Sequence, residues 1–253
     1  MERFTGKNVI VTGGAQGMGK AIGERFASEG ARVLVADLNE AGAAATAKEL
    51  GGLSIGCDVT KADQVQAMID HGLAEMGAID ILVNNAGTIT MKSVTDLTEN
   101  DWDMVMDVNA KGVFLCTRAV LFSMLERKSG AIVNVASQAG KRGYKLFTHY
   151  CASKAAVIVF SKGVALEVAP HVRINCVCPG IVNTDMMERE YAWEEAMTGE
   201  PKASIQERWM SGIPMGRFQE PHHVAGLVAF LASDDASEMT GQAVNVTGGM
   251  IME

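Results

Sequence analysis

The chain has 253 residues, 48% of them apolar, and carries 22 basic against 30 acidic side chains for a net charge of −8. That is enough apolar material for one sizeable core, and an acidic chain without a Lys/Arg-rich run argues against a nucleic-acid or anionic-membrane surface. The N-terminal MERFTGKNVIVTGG passes from two charges straight into a strand pattern, and no apolar run of membrane-spanning length stands out, so a soluble cytoplasmic protein whose partner is a small molecule or another copy of itself is expected.

The first strand, NVIVTG, runs into TGGAQGMG at residues 12–19. Gly13, Gly17 and Gly19 let the backbone turn sharply, approach a pyrophosphate and open a helix whose N-terminal amides favour anionic oxygens; Gln16 and Met18 lie in the same loop. A helix-like stretch over 17–30 leads to the second strand, ARVLVAD, which ends at Asp37, about 20 residues past the glycines, where an acid accepts hydrogen bonds from an adenosine ribose. A carboxylate there repels a 2′-phosphate, and neither Gln16 nor Leu38 brings a positive charge, so NAD is expected rather than NADP.

After a helical stretch at 40–50 the third strand, LSIGCDV, ends in Asp58 and Val59. Asp58 has two readings, a partner for the adenine amino group or the cap of the helix from 61. The helix over 61–77 and the strand IDILVNNAG follow, and Asn85, Ala86 and Gly87 place small side chains where backbone can lie against adenosine and ribose. Next come a helix over 99–127 containing DVNAKG with Asn109, the strand AIVNVAS ending at Ser137 and Gln138, and a helix over 149–169 opening with HYCASKAAVIVF. Tyr150 and Lys154, four residues apart, share one face of that helix.

The sixth strand, VRINCVCPG, ends at Pro179 and Gly180. The segment 183–215, rich in Met, Glu and aromatics, reads as a lid over the carboxyl edge of the sheet, where doubly wound folds bind ligands. A helix over 221–232, with Pro221 near its start, and the strand AVNVTGG complete the chain. Seven strands alternating with helices predict a single α/β domain spanning 1–253, a Rossmann-like doubly wound parallel sheet with helices on both faces. The five cysteines fit no disulfide or zinc spacing, Cys176 and Cys178 share a strand face as buried thiols, and His222–His223 has no partners at ligand spacing, so no metal is expected.

With TGGAQGMG, NNAG at 84–87, Asn109, Ser137, Tyr150, Lys154 and PG at 179–180 in this order, the chain resembles the short-chain dehydrogenase/reductase family over nearly its whole length. The resemblance implies a catalytic set of Asn109, Ser137, Tyr150 and Lys154. Tyr150 exchanges the proton of the alcohol, and lowering its pKa from ~10 to ~7 requires about 4 kcal/mol of preferential phenolate stabilisation, from an adjacent ammonium and a positive nicotinamide. Lys154 lowers that pKa and bonds the nicotinamide ribose. Ser137 polarises the substrate oxygen, Asn109 holds a water on the proton path, and Pro179, Gly180, Val182 and Thr184 flank the nicotinamide and its phosphates.

For the substrate, ASQAGKRG, YCASKAAVI and PMGRF resemble members acting on sugar alcohols and vicinal diols, and Gln138 is expected to bond a neighbouring hydroxyl. Met186, Met187, Tyr191, Trp193, Met197, Trp209 and Met210 either form an apolar lid over substrate or pack as two short helices, and Glu188, Glu194 and Glu195 are the polar lid candidates. The alternatives are a 3-oxoacyl thioester reductase, against which Asp37 and the acidic charge argue, and a non-catalytic NAD-binding regulatory protein. The helices over 99–127 and from Tyr150, with the C-terminal strand, resemble the family's subunit-contact elements and imply a homotetramer.

Overall fold

The computed structural model describes residues 2–253. The strands are β1 (Asn8–Thr12), β2 (Arg32–Asp37), β3 (Leu53–Gly56), β4 (Ile81–Asn84), β5 (Gly130–Val135), β6 (Val172–Pro179) and β7 (Ala243–Val246). They form one sheet in the order β3-β2-β1-β4-β5-β6-β7, parallel throughout. The order reverses between β1 and β4, which opens a crevice at their carboxyl ends. This is the doubly wound sheet expected from the sequence.

Among the described residues the α-helices are α1 (Gly17–Ser28), α2 (Glu40–Leu50), α3 (Ala62–Met76), α4 (Glu99–Met106), α5 (Gly112–Glu126), α6 (Thr148–Val168), α7 (Asp185–Thr198), α8 (Lys202–Ser211) and α9 (Pro221–Ala232), and all but α4, α7 and α8 pack along the sheet. Val9, Val11, Val33, Val35 and Val133 pack on one side with Ile22 and Phe26 of α1 and Val224 and Val228 of α9. Ile10, Leu34, Leu82 and Ile132 pack on the other with Met68 and Ile69 of α3 and Val120 and Met124 of α5. Both faces are covered, so the strands read as continuous Val/Ile runs without polar alternation, and each buried aliphatic side chain contributes about 1.5–3 kcal/mol.

Two expectations are refined. The stretch 99–127 is not one regular helix, because a π-helical turn, Asp107–Lys111, separates α4 from α5 and carries Asn109. By length and composition Glu99–Glu126 passes as a membrane-spanning helix, contrary to the sequence reading, but 44% of its apolar window is buried inside the domain. It serves as a core helix here, with α5 packed on α3, β4 and β5.

The segment 183–215 folds as a hairpin of α7 and α8. Met187, Tyr191 and Ile205 are buried between them, and the Tyr191 and Trp209 rings stack at 4.6 Å. Three of the seven stripe residues, Met187, Tyr191 and Trp209, thus belong to the hairpin's own core, whereas Met197 is exposed.

Candidate active site

The glycine loop is fastened to β4 by side chains. Thr12 Oγ1 accepts from the amides of Asn85 (3.1 Å) and Ala86 (3.2 Å), and Asn85 Nδ2 donates to the carbonyls of Thr12 (3.0 Å) and Gly13 (2.9 Å). A methyl on Gly13 would stand 2.8 Å from Ala86 Cα, and one on Gly19 would stand 2.0 Å from the Gly13 carbonyl oxygen, so neither position admits a side chain. The side chain of Asn85 is the stitch that closes the loop. Gln16 precedes α1 without capping it, which leaves the first amides of the helix facing the crevice.

Asp37, at the end of β2, accepts from Ala15 N at 3.0 Å through one oxygen and from Asn39 N at 2.9 Å through the other. These bonds aim the carboxylate at the mouth of the loop, beside Leu38, whose side chain is 76% exposed. Asp58 accepts from Thr60 N (2.9 Å) and Thr60 Oγ1 (2.7 Å) through a single oxygen. It is not the cap of α3, a position held by Lys61. Val59 is buried and packs against Gly112, away from solvent. The glycine cradle, the uncapped helix start and the held carboxylate fit a dinucleotide, whose pyrophosphate the loop and the α1 amides would hold and whose ribose Asp37 would meet.

At the carboxyl ends of β4 and β5 the four residues of the expected catalytic set come together. Lys154 is buried, and its Nζ donates to Val135 O at 2.8 Å and lies 5.8 Å from the Tyr150 ring centre. A methyl on Gly87 would stand 3.3 Å from Asn109 Oδ1 and 3.5 Å from Lys154 Nζ, so these three meet at one point. Asn109 accepts from Thr88 N at 2.8 Å and donates to Thr88 O at 2.9 Å and Ser153 Oγ at 3.0 Å. Both its amide protons are used, so its side chain has no proton left for a water. Ser137 Oγ accepts from Ala139 N at 3.0 Å, leaving its own proton for another partner.

Burial pushes the Lys154 ammonium down to about 8. Burial also lifts the Tyr150 phenol well above its usual range; hydrogen bonding with Ser137 opposes that rise and the Glu190 carboxylate adds to it. The chain's own groups therefore raise the Tyr150 pKa, where the sequence reading expected Lys154 to lower it. The reason is desolvation, which penalises a phenolate before any neighbour acts on it.

Across the crevice, Gly180 N donates to Val246 O (3.0 Å) and Gln219 Oε1 (3.1 Å), and Asn183 N donates to Gln219 O (2.7 Å). These bonds hold the segment from Pro179 to Thr184 over the sheet edge. Val182 is buried, and Thr184 Cγ2 lies 3.6 Å from where a Gly17 methyl would project, which brings this segment to the glycine loop. Gln138 is buried and turned toward the C-terminal tail: its Nε2 contacts Met250 Sδ at 3.3 Å, and its Oε1 has no partner. Thr12 and Gln219 were not picked out from the sequence, because their roles depend on contacts between distant segments.

The other candidates serve structure. Cys176 and Cys178 are buried free thiols, raised by burial, Cys176 to about 12. His149 is buried with Nε2 at 2.6 Å from Thr90 Oγ1, and His223 Nδ1 accepts from Glu220 N at the start of α9.

The comparisons agree with this geometry. Residues 7–195 match the family model described as short chain dehydrogenase. The chain is 38% identical over 255 residues to galactitol 2-dehydrogenase of Agrobacterium fabrum, covering 98% of each chain. It is 39% identical over 258 residues to a 3-oxoacyl acyl-carrier-protein reductase of Thermotoga maritima, covering 99% of this chain and 100% of that one. Among solved structures, a short-chain type dehydrogenase/reductase from Mycobacterium marinum superposes with a TM-score of 0.89 at 35% identity, covering 99% and 97% of the two chains. A fold, a glycine loop and a Ser–Tyr–Lys cluster that arise in one crevice thus have a common origin: the chain belongs to the short-chain dehydrogenase family of oxidoreductases, which work with a nicotinamide cofactor.

Proposed function

We propose that this chain is an NAD-dependent oxidoreductase interconverting a secondary alcohol, with a polyol or vicinal diol favoured, and its ketone. The observation that carries the reading is the convergence of Ser137, Tyr150 and Lys154 with Asn109 and Gly87 at the crevice. In the oxidative direction the Ser137 hydroxyl, which hydrogen-bonds Tyr150 in the free site, turns its proton to the substrate oxygen while Tyr150 takes that oxygen's proton. Lys154, anchored on Val135 O, keeps its charge beside the phenol and its remaining protons for ribose hydroxyls. The nicotinamide, when bound, supplies the hydride acceptor and a positive charge that offsets the desolvation of Tyr150. Because both Asn109 amide protons are used, we assign the water on the proton path to its main-chain carbonyl.

Asp37 supports NAD, since its aimed carboxylate accepts from ribose hydroxyls and repels a 2′-phosphate, and neither Gln16 nor Leu38 brings a positive charge to offset that repulsion. The polyol reading draws on the similarity to galactitol 2-dehydrogenase. The near-equal similarity to the 3-oxoacyl reductase keeps a thioester reductase as the second reading. Turnover of secondary alcohols, vicinal diols and a 3-oxoacyl thioester, each with both cofactors, decides between them; diol oxidation with NAD⁺ is the expected activity, and thioester reduction with NADPH alone would establish the second reading instead.

A homotetramer in the cytoplasm completes this reading. Phe114, Phe122 and Leu125 on α5 and Val159 and Leu166 on α6 are exposed apolar residues on helices whose opposite faces are buried in the domain, and a helix apolar all round has a second partner.

A further inference from the structure

Two buried amides at the carboxyl edge of the sheet are left incomplete. Gln138 and Gln219 are 5% and 6% exposed, and among the described residues Gln138 Oε1 and Gln219 Nε2 have no hydrogen-bond partner. Both atoms meet at Gly180: a methyl there would stand 3.3 Å from Gln138 Oε1 and 2.9 Å from Gln219 Nε2. Gln219 cannot turn away, because its Oε1 accepts from Gly180 N at 3.1 Å and its backbone is bonded to Ile181 O (3.0 Å) and Asn183 N (2.7 Å). The other end of the Gln138 amide has only Met250 Sδ, at 3.3 Å, and a thioether is a weak acceptor. An acceptor and a donor are thus held at one point without bonding one another. Gln138 directly follows Ser137, and the pairing of Val135 with Val177 carries Gln138 alongside Gly180, on the edge where the Ser–Tyr–Lys cluster stands.

We propose that Gln138 and Gln219 form a donor–acceptor subsite for a second substrate hydroxyl, which donates to Gln138 Oε1, accepts from Gln219 Nε2 and so selects polyols over mono-alcohols. This rests on the secondary-alcohol reading above. The sequence pointed to Gln138 alone; the structure supplies its partner. A buried polar atom without a partner carries its full desolvation cost, and two of opposite kind at one point are both satisfied by a single group that donates and accepts. A hydroxyl does so. An ammonium only donates and a carboxylate only accepts, so each leaves one amide unpaired. Gly180 leaves the point free of a side chain, and the tail covers it through Met250, whose terminal methyl lies 3.6 Å from where a Gly212 methyl would project at the end of α8. An unbranched thioether repacks readily, so the hydroxyl enters past Met250 from the lid side.

The test compares wild type with Gln138→Met and Gln219→Glu, using NAD⁺ with butan-2-ol, butane-2,3-diol and 3-aminobutan-2-ol. Gln138→Met keeps the shape and removes the acceptor; Gln219→Glu keeps the acceptor for Gly180 N and turns the donor into a second acceptor. In both variants the diol-to-mono-alcohol ratio of kcat/KM is expected to fall about 10–100-fold, and in Gln219→Glu the amino alcohol is expected to gain on the diol. Gln138→Met removes an unpaired acceptor, so the urea midpoint of the cofactor-free protein is expected to hold or rise, whereas a purely structural role would lower it. Where a carboxylate at 219 fails to fold, Gln138→Met decides on its own. A wild type that prefers the diol and a Gln138→Met protein that keeps the preference overturn the subsite alone, as does an equal loss on all three substrates. A loss of NADH affinity matching the loss of turnover also overturns it, because the pair would then hold the carboxamide of the nicotinamide. A wild type that prefers the mono-alcohol, or oxidises none of the three, overturns the polyol reading and this inference with it.

Discussion

At the scale of single residues, burial sets the problem that the site has to solve. Tyr150 is more basic than a free phenol and Lys154 less basic than a free amine, because each loses water around its charged form. Alcohol oxidation requires the deprotonated phenol, so kcat/KM for oxidation is expected to climb with pH and the reverse reduction to fall over the same range, a profile measurable in both directions. Tyr150→Phe removes the proton acceptor while keeping the ring, and is expected to lower turnover by about 10²–10⁴-fold with NADH binding retained. Near-normal turnover by that variant would dismiss Tyr150 as the acid/base. Asp37→Ala frees the amides of Ala15 and Asn39 and removes the charge that disfavours a 2′-phosphate. Weaker NAD⁺ and stronger NADP⁺ use are expected, read as a change in the ratio of kcat/KM for the two cofactors.

At the scale of elements, a buried polar relay joins the sheet to α5 and α6 beneath the site. Asn84 Nδ2 donates to Thr117 Oγ1 (3.1 Å) and Asn134 Oδ1 (2.8 Å), Asn134 Nδ2 donates to Ser161 Oγ (2.8 Å), and Cys176 Sγ donates to Ser161 Oγ (3.1 Å). Asn134→Ala removes the central member and strands buried groups on either side, so a loss of about 1–3 kcal/mol in urea unfolding is expected; an unchanged midpoint would mean that the relay contributes nothing. The strands themselves were legible in the sequence, because a parallel sheet covered on both faces needs Val/Ile runs and punctuates them with Gly, Asn and Asp at the ligand edge. NNAG was legible as a strand end but not in its division of labour, in which Asn84 bridges the core and Asn85 stitches the glycine loop. Those roles depend on partners some 30 to 70 positions away, which no local pattern carries. The same holds for Gln219 against Gly180.

At the scale of the whole molecule, the domain leaves uncovered one kind of surface that its own chain has nothing to bury. Phe122 is 74% exposed, Val159 68% and Leu166 85%, on helices that otherwise form the core. An assembly of four chains of 26.9 kDa is expected by light scattering, and Phe122→Asp is expected to yield a smaller species that still binds NADH. A wild-type monomer at micromolar concentration would refute the assembly. The central claim, that this crevice oxidises a secondary alcohol with NAD⁺, is tested most directly by kcat/KM for a vicinal diol measured with NAD⁺ and with NADP⁺ on the unmodified protein. The account predicts ketone and NADH formed together, with NAD⁺ favoured on the order of 10²-fold or more, the scale of a carboxylate left facing a 2′-phosphate; preference for NADP⁺, or cofactor reduction without ketone, would contradict it.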